Sequence, residues 1–206
     1  MGRMSAKPPV RWFQFRLRSL LIALTLLAIV PGGYIVHQRG EAQRVKGAVA
    51  KMEAELQHVE VYARPNWLHS LLVPGAVGDV VGFGIHHPRA IADSQLAPLA
   101  ELHSLVWLDV VGVPLTDDAL IHISRLKHLE RLRIDETPIT DAGLIHLTRL
   151  PKLHTLNLSS TKITDAGLAH LAKLPNLKEL YIQKTQVTPA GTAKLQQALP
   201  GADIIH

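Results

Sequence analysis

Histidine is the most suggestive chemistry in this chain. Twelve histidines are present, and imidazole is both a metal ligand and a proton carrier near neutral pH. His122, His146 and His170 stand 24 residues apart. His86 and His87, with Asp93 close by, make a second group that could ligate a metal or move a proton. Asp117, Asp141 and Asp165 repeat at the same interval and offer hard oxygen ligands. Cysteine is absent, which excludes disulfides, thiolate metal sites and a lipoprotein anchor. The glycines at 75, 78, 82 and 84 fit neither phosphate-cradling pattern, G-x-x-x-x-G-K-[ST] or G-x-G-x-x-G. Neither G-x-S-x-G nor H-E-x-x-H occurs. Whether any of these groups can act together depends on the elements that carry them.

Those elements repeat. Leu105, Leu129, Leu153 and Leu177 open four units of 24 residues, followed by Leu108, Leu132, Leu156 and Leu180, then Val110, Ile134, Leu158 and Ile182. The frame then gives LTDDAL, ITDAGL, ITDAGL and VTPAGT. L-x-x-L-x-L at such a period is the signature of a leucine-rich repeat. The L-x-L alternation predicts a short strand with two apolar residues facing the core. Thr137, Thr161 and Thr185 follow, able to satisfy backbone groups as the chain leaves the strand. Thr116, Thr140, Thr164 and Thr188 fit helix N-caps, with Asp117, Asp141 and Asp165 at N1. Pro189 replaces the aspartate in the last unit, and proline suits N1. The aspartate column is therefore read as structural. Leu144, Leu147 and Leu150 face inward, and Pro151 and Pro175 end the helices of their units. Stacked helices lie about 8–10 Å apart, too far for His122, His146 and His170 to share a zinc. They are read as solvated positions preceding core leucines, and His86 as a cap residue. No catalytic, metal or cofactor site is expected, nor a small-molecule substrate.

The pattern L-x-x-L-x-L-x-x-T-x-I-T-D-A-G-L resembles the cysteine-containing class of leucine-rich repeats found in F-box substrate adaptors, and most of all the threonine-variant arrays of bacterial proteins. Many of those begin with a membrane segment similar to Phe15-Arg16-Leu17-Arg18-Ser19-Leu20-Leu21. No F-box pattern precedes the repeats. The resemblance implies protein–protein interaction, not catalysis.

The outward strand positions form columns on the concave sheet. One holds Trp107, Arg131, Thr155 and Glu179; the next holds Asp109, Arg133, Asn157 and Tyr181. Tryptophan, tyrosine and arginine are enriched at interface hot spots. The expected binding face is Trp107, Asp109, Arg131, Arg133, Asn157, Glu179 and Tyr181. The plainer alternative is a solvated surface with Arg131 and Arg133 paired to Glu130 or Asp135.

Net charge is +5, but Arg3, Lys7, Arg11, Arg16 and Arg18 lie in residues 1–36 without an acid, and the remainder balances 17 bases against 17 acids. Such an arm reads as membrane topology, not as a nucleic-acid site. Residues 20–36 form an uncharged run of 17, roughly 25 Å as a helix, and Leu17 with a snorkelling Arg18 extends it. A transmembrane helix or signal anchor over 20–36 is expected, with membrane contact over 17–36. A cleavable signal peptide with an apolar region Leu20–Val30 is the rival, although no A-x-A follows closely; a buried core helix is the third reading. The charge asymmetry favours repeats on the non-cytoplasmic side.

The expected organisation is a basic arm at 1–19, the span at 20–36, an amphipathic helix or stalk at 37–57, a cap at 58–80 and about five repeats at 81–206. Val45, Val49, Met52, Leu56 and Val59 mark the apolar face of that helix, read as packing on its own domain, with a self-associating stalk as the alternative. Val59-Glu60-Val61-Tyr62 alternates like a strand, and 66–72 reads as a short helix. The frame carried back puts Val81, Gly84 and His86 on the first, fourth and sixth columns of a degenerate repeat; carried forward, it puts Ile204 on a closing strand. The fold class is α/β: a leucine-rich repeat solenoid with a parallel sheet on the concave face and helices on the convex face, preceded by a transmembrane helix.

Overall fold

The computed structural model describes residues 43–54, 59–64, 79–86 and 92–206. The expected span at 20–36 and the short helix at 66–72 lie outside these residues, as does His87. Among the described residues no helix is long and apolar enough to cross a membrane.

The described chain begins with helix α1 (43–54). Strands β1 (Val59–Arg64), β2 (Asp79–His86), β3 (Trp107–Val111), β4 (Arg131–Arg133), β5 (Thr155–Asn157), β6 (Glu179–Tyr181) and β7 (Asp203–Ile205) form a sheet in sequence order. β1 runs antiparallel to β2; every later pairing is parallel. A 3-10 helix (Asp93–Glu101) and helices α2 (Ala119–Ile123), α3 (Asp141–Leu147), α4 (Asp165–Leu171) and α5 (Pro189–Ala198) fill the crossovers. Leu180 stands opposite Ile204, as the 24-residue frame requires.

The core lies between sheet and helices. Leu108, Leu132, Leu156 and Leu180 are fully buried, as are Leu144, Leu147 and Leu171. On α1, Met52 and Ala48 are buried in this core and Val45 and Val49 pack against it. The apolar face of α1 is therefore occupied within its own domain, which disfavours the stalk reading.

The structure corrects three readings of the sequence. In β2, Phe83 pairs with Leu108 and Ile85 with Val110, so the inward residues are Phe83 and Ile85, both fully buried. Gly84 and His86 instead stand opposite Asp109 and Val111, and Val81 precedes the pairing of Gly82 with Trp107. The cause is one extra residue between β2 and the 3-10 helix: Phe83 to Leu96 is 13 steps, Leu108 to Leu120 only 12. One residue of slip exchanges the two faces of a strand. Second, α2 starts at Ala119, so Thr116 and Asp117 precede it. Third, α3 and α4 end at Leu147 and Leu171, before Pro151 and Pro175 are reached, in tight turns where Leu150 and Leu174 bond back to the carbonyls of Leu147 and Leu171.

Two side-chain ladders bind each repeat to itself and to the next. The hydroxyls of Thr137, Thr161 and Thr185 donate to the carbonyls of Ile134, Leu158 and Ile182 at 2.7, 2.6 and 2.7 Å, closing the strand exit. Thr140 and Thr164 cap their helices by accepting from the backbone N–H of Ala142 and Ala166, and Thr188 accepts from Gly191. Each capping hydroxyl also donates its own proton to the preceding repeat. Asp117 takes it from Thr140, Asp141 from Thr164 and Asp165 from Thr188, at 2.6, 2.6 and 2.7 Å. The second oxygen of each carboxylate accepts the backbone N–H of the same threonine at 2.8 Å. Asp93 and Thr116 make the first rung. These bonds hold the carboxyl of Asp165 below its ordinary value, the Thr188 hydroxyl contributing most and the Thr188 N–H next. The aspartate column is structural as read, but its main partner is the neighbouring repeat.

The glycine of T-D-A-G-L belongs to the same device. A Cβ at Gly143 would lie 2.5 Å from an oxygen of Asp117, and at Gly167 or Gly191 it would overlap Asp141 or Asp165. The carboxylate of one repeat occupies the space that a side chain would need in the next.

Candidate protein-interaction face

Pairing aligns the outward columns in register: Trp107, Arg131, Thr155 and Glu179 are successive Cα partners, as are Asp109, Arg133, Asn157 and Tyr181. Neighbouring strands lie about 4.8 Å apart, so adjacent members touch. The seven predicted residues therefore share one face, on the side of the sheet opposite the buried leucines.

They are not equally available. Arg131 and Glu179 are exposed, whereas Trp107, Asp109, Arg133, Asn157 and Tyr181 are half-buried. The Trp107 indole lies against the backbone of Gly82, where a Cβ would overlap the ring. Arg133 sits 3.7 Å from Asp109 and 3.5 Å from Asp135, inside two carboxylates. This bears out half of the plainer alternative: Arg133 is paired, to Asp135 as foreseen and to Asp109 as well. Among the described residues Arg131 has no ion pair. Asn157 uses its carbonyl oxygen to accept from the Ser159 N–H at 3.0 Å.

A polar line that the sequence reading passed over crosses this face. The His154 Nε2 lies 3.4 Å from Glu130, its Nδ1 lies 3.1 Å from the Thr155 hydroxyl, and that hydroxyl donates to Glu179 at 3.2 Å. Its signal was in the 24-residue frame, where Glu130 and His154 share one column and Thr155 and Glu179 another. Such a line fixes side-chain orientation on the face and leaves Arg131 exposed beside it.

The other candidates do not assemble. His122, His146 and His170 occupy the last turns of α2, α3 and α4, one per helix. Asp93 bonds to Thr116. Among the described residues no three histidine, aspartate or glutamate side chains converge as a metal site.

Residues 151–192 match the family model described as Leucine Rich repeats (2 copies). The fold is a leucine-rich repeat solenoid. No curated protein sequence matches the chain. Among solved structures, internalin C2 of Listeria monocytogenes is similar at 22% identity and a TM-score of 0.51, over 61% of this chain and 50% of that one. A leucine-rich repeat protein of Leptospira interrogans has 21% identity and a TM-score of 0.43, over 53% of this chain and 27% of that one. An internalin of Listeria monocytogenes has 19% identity and a TM-score of 0.39, over 53% of this chain and 36% of that one. The chain spans half the length of internalin C2, and the likeness is one of fold.

Proposed function

We propose that this protein is a membrane-anchored, non-enzymatic interaction module that binds a protein partner through the open face of its repeat sheet. Leucine-rich repeat domains are generally protein-interaction modules, and a stack of repeats offers an extended surface of regularly spaced side chains. The observation that carries the reading is the in-register face on which Arg131 and Glu179 are exposed beside the half-buried Tyr181, Trp107 and Arg133. Arginine and aromatic anchors surrounded by fixed polar groups are the composition of a hot spot. The anchor is the apolar run at 20–36, and the basic arm before it favours repeats on the non-cytoplasmic side. The threonine-variant repeats and the Phe15–Leu21 pattern favour a bacterial setting.

The test is crosslinking in native membranes with the full chain and a variant carrying Trp107→Ala, Arg131→Ala, Arg133→Ala and Tyr181→Ala. Loss of a specific crosslinked partner is expected; an unchanged set of partners removes this face from consideration. A reporter fused to the C-terminus reads the side of the membrane. Activity only in the cytoplasm reverses the proposed orientation.

A further inference from the structure

Charge that balances along the sequence does not balance across the fold. All repeat strands run parallel, so the turns from helix to strand lie along one edge of the solenoid and the loops from strand to helix along the other. Of the five such turns, the three over 124–130, 148–154 and 172–178 carry six Lys/Arg against one glutamate, and those over 102–106 and 199–202 carry no charge. The opposite loops over 111–118, 134–141, 158–165 and 182–189 carry six acids against two lysines. The basic turns touch one another: Lys127 donates to the carbonyl of Arg149, and Asn176 to the carbonyl of Pro151.

Arg125, Arg149 and Lys173 form one exposed column, and Lys127, Lys152 and Lys178 are exposed beside it. Cations near helix C-termini complement the helix dipole, which accounts for one per helix but not for the second set. Among the described residues Arg125, Arg149, Lys173 and Lys178 have no ion pair. Among the described residues the exposed large apolar side chains are Ile121 and Ile145, on α2 and α3, which lead into the turns that carry Arg125 and Arg149. Exposed aliphatic residues on helices that lead into a basic edge suit a surface with anionic headgroups over an apolar layer. A nucleic acid offers charge without that apolar layer.

We infer that the helix-to-strand edge of the solenoid is a second interaction surface that lies against an anionic lipid bilayer. This surface is separate from the open sheet face and does not require a protein partner there. Its cations face the headgroups, and Ile121 and Ile145 meet the interface at its rim. Contact of this kind scales with lipid charge and is screened by salt.

The absence of cysteine makes the test direct. A single cysteine replaces Pro175 on the basic edge or Gln186 on the opposite edge of the full chain and carries a fluorophore. The labelled chains are bound to vesicles of phosphatidylcholine, alone or mixed with phosphatidylglycerol, that contain a headgroup-linked quencher. Quenching at 175 and not at 186 is expected, only with phosphatidylglycerol, and it is lost at high salt. Each cation removed weakens the contact about five-fold, so Arg125→Gln, Arg149→Gln and Lys173→Gln together weaken it roughly 100-fold. Lys162→Gln with Lys184→Gln on the other edge leaves it unchanged. Equal quenching at both labels, or quenching indifferent to lipid charge, overturns the inference. So does binding to duplex DNA without headgroup quenching at 175. Retention on neutral vesicles reads the N-terminal span by itself, so failure of the anchor and failure of the edge give different results.

Discussion

Asp141 accepts both the backbone N–H and the hydroxyl proton of Thr164, and its carboxylate fills the space over Gly167. Charge-assisted hydrogen bonds to a carboxylate contribute about 1.5–3 kcal/mol. Asp141→Asn is therefore expected to lower stability by about 1–3 kcal/mol in urea unfolding. A double-mutant cycle with Thr164→Val should give a coupling of about 1 kcal/mol; additive losses would mean that the bond is not energetically real. Gly167→Ala should cost about 1–3 kcal/mol because the new methyl meets that carboxylate. In an Asp141→Ala background the same substitution should cost less, since the nearest obstacle is gone and only Leu144 Cδ1, 2.9 Å from the new Cβ, has to give way. Acid sensitivity follows from Asp165, whose folded-state pKa is depressed by Thr188. A depressed carboxylate contributes stability above its unfolded value of about 3.9, and this is lost as pH falls through the folded value. The gap in Tm between wild type and Asp165→Asn should thus narrow from pH 6 toward pH 2. A constant gap would refute the linkage. None of this aspartate pairing was legible beforehand. Thr140 and Asp141 read correctly as cap and N1, but a bond from one residue to another 23 positions on exists only once two helices lie side by side.

Strands β3 to β6 each leave the sheet through a residue in the left-handed region. Gly112, Glu136, Ser160 and Lys184 have φ of 68, 58, 57 and 55°, at the same 24-residue spacing. An L-residue pays about 1–2 kcal/mol for that conformation, whereas glycine adopts it freely. Ser160→Gly should raise stability by about 0.5–1 kcal/mol and Gly112→Ala lower it by about 1 kcal/mol, both measured by thermal unfolding; the opposite signs would mean that other contacts fix these turns. The strands themselves were legible because two leucines per unit alternate in a pattern that helices cannot share. The first strand was misread by one position. Val81, Phe83 and Ile85 do carry the alternation, but a frame extrapolated at constant length could not see the added residue in the following loop. Helix ends were misplaced for a related reason: the prolines forbid helix beyond them but do not require it up to them.

At the scale of the whole molecule, repeats that touch only their neighbours make stability nearly a sum over units. Deleting residues 140–163, one full period, joins Ile139 to Thr164 and lets Asp117 meet Thr164 in place of Thr140. This shortened protein should fold cooperatively with stability lower by about 1–4 kcal/mol. Deleting 141–163, one residue fewer, leaves one added residue between strand and helix, as the first repeat already has between β2 and the 3-10 helix, and should keep unfolding cooperative in the same urea experiment. Periodic leucines thus determined, from the sequence alone, that the chain forms parallel strands backed by helices, because burial of one apolar face per element admits no other regular stack. The sequence also determined which residues share the open sheet face, since strand alternation and a fixed period assign every position a column. Only the tertiary structure decided what those columns do: that Arg133 is enclosed by Asp109 and Asp135 while Arg131 is not, and that the aspartates bridge repeats. The segregation of charge was settled there too, because successive turns go to opposite edges. A composition of 17 bases and 17 acids beyond the first 36 residues is silent about which edge each side chain joins.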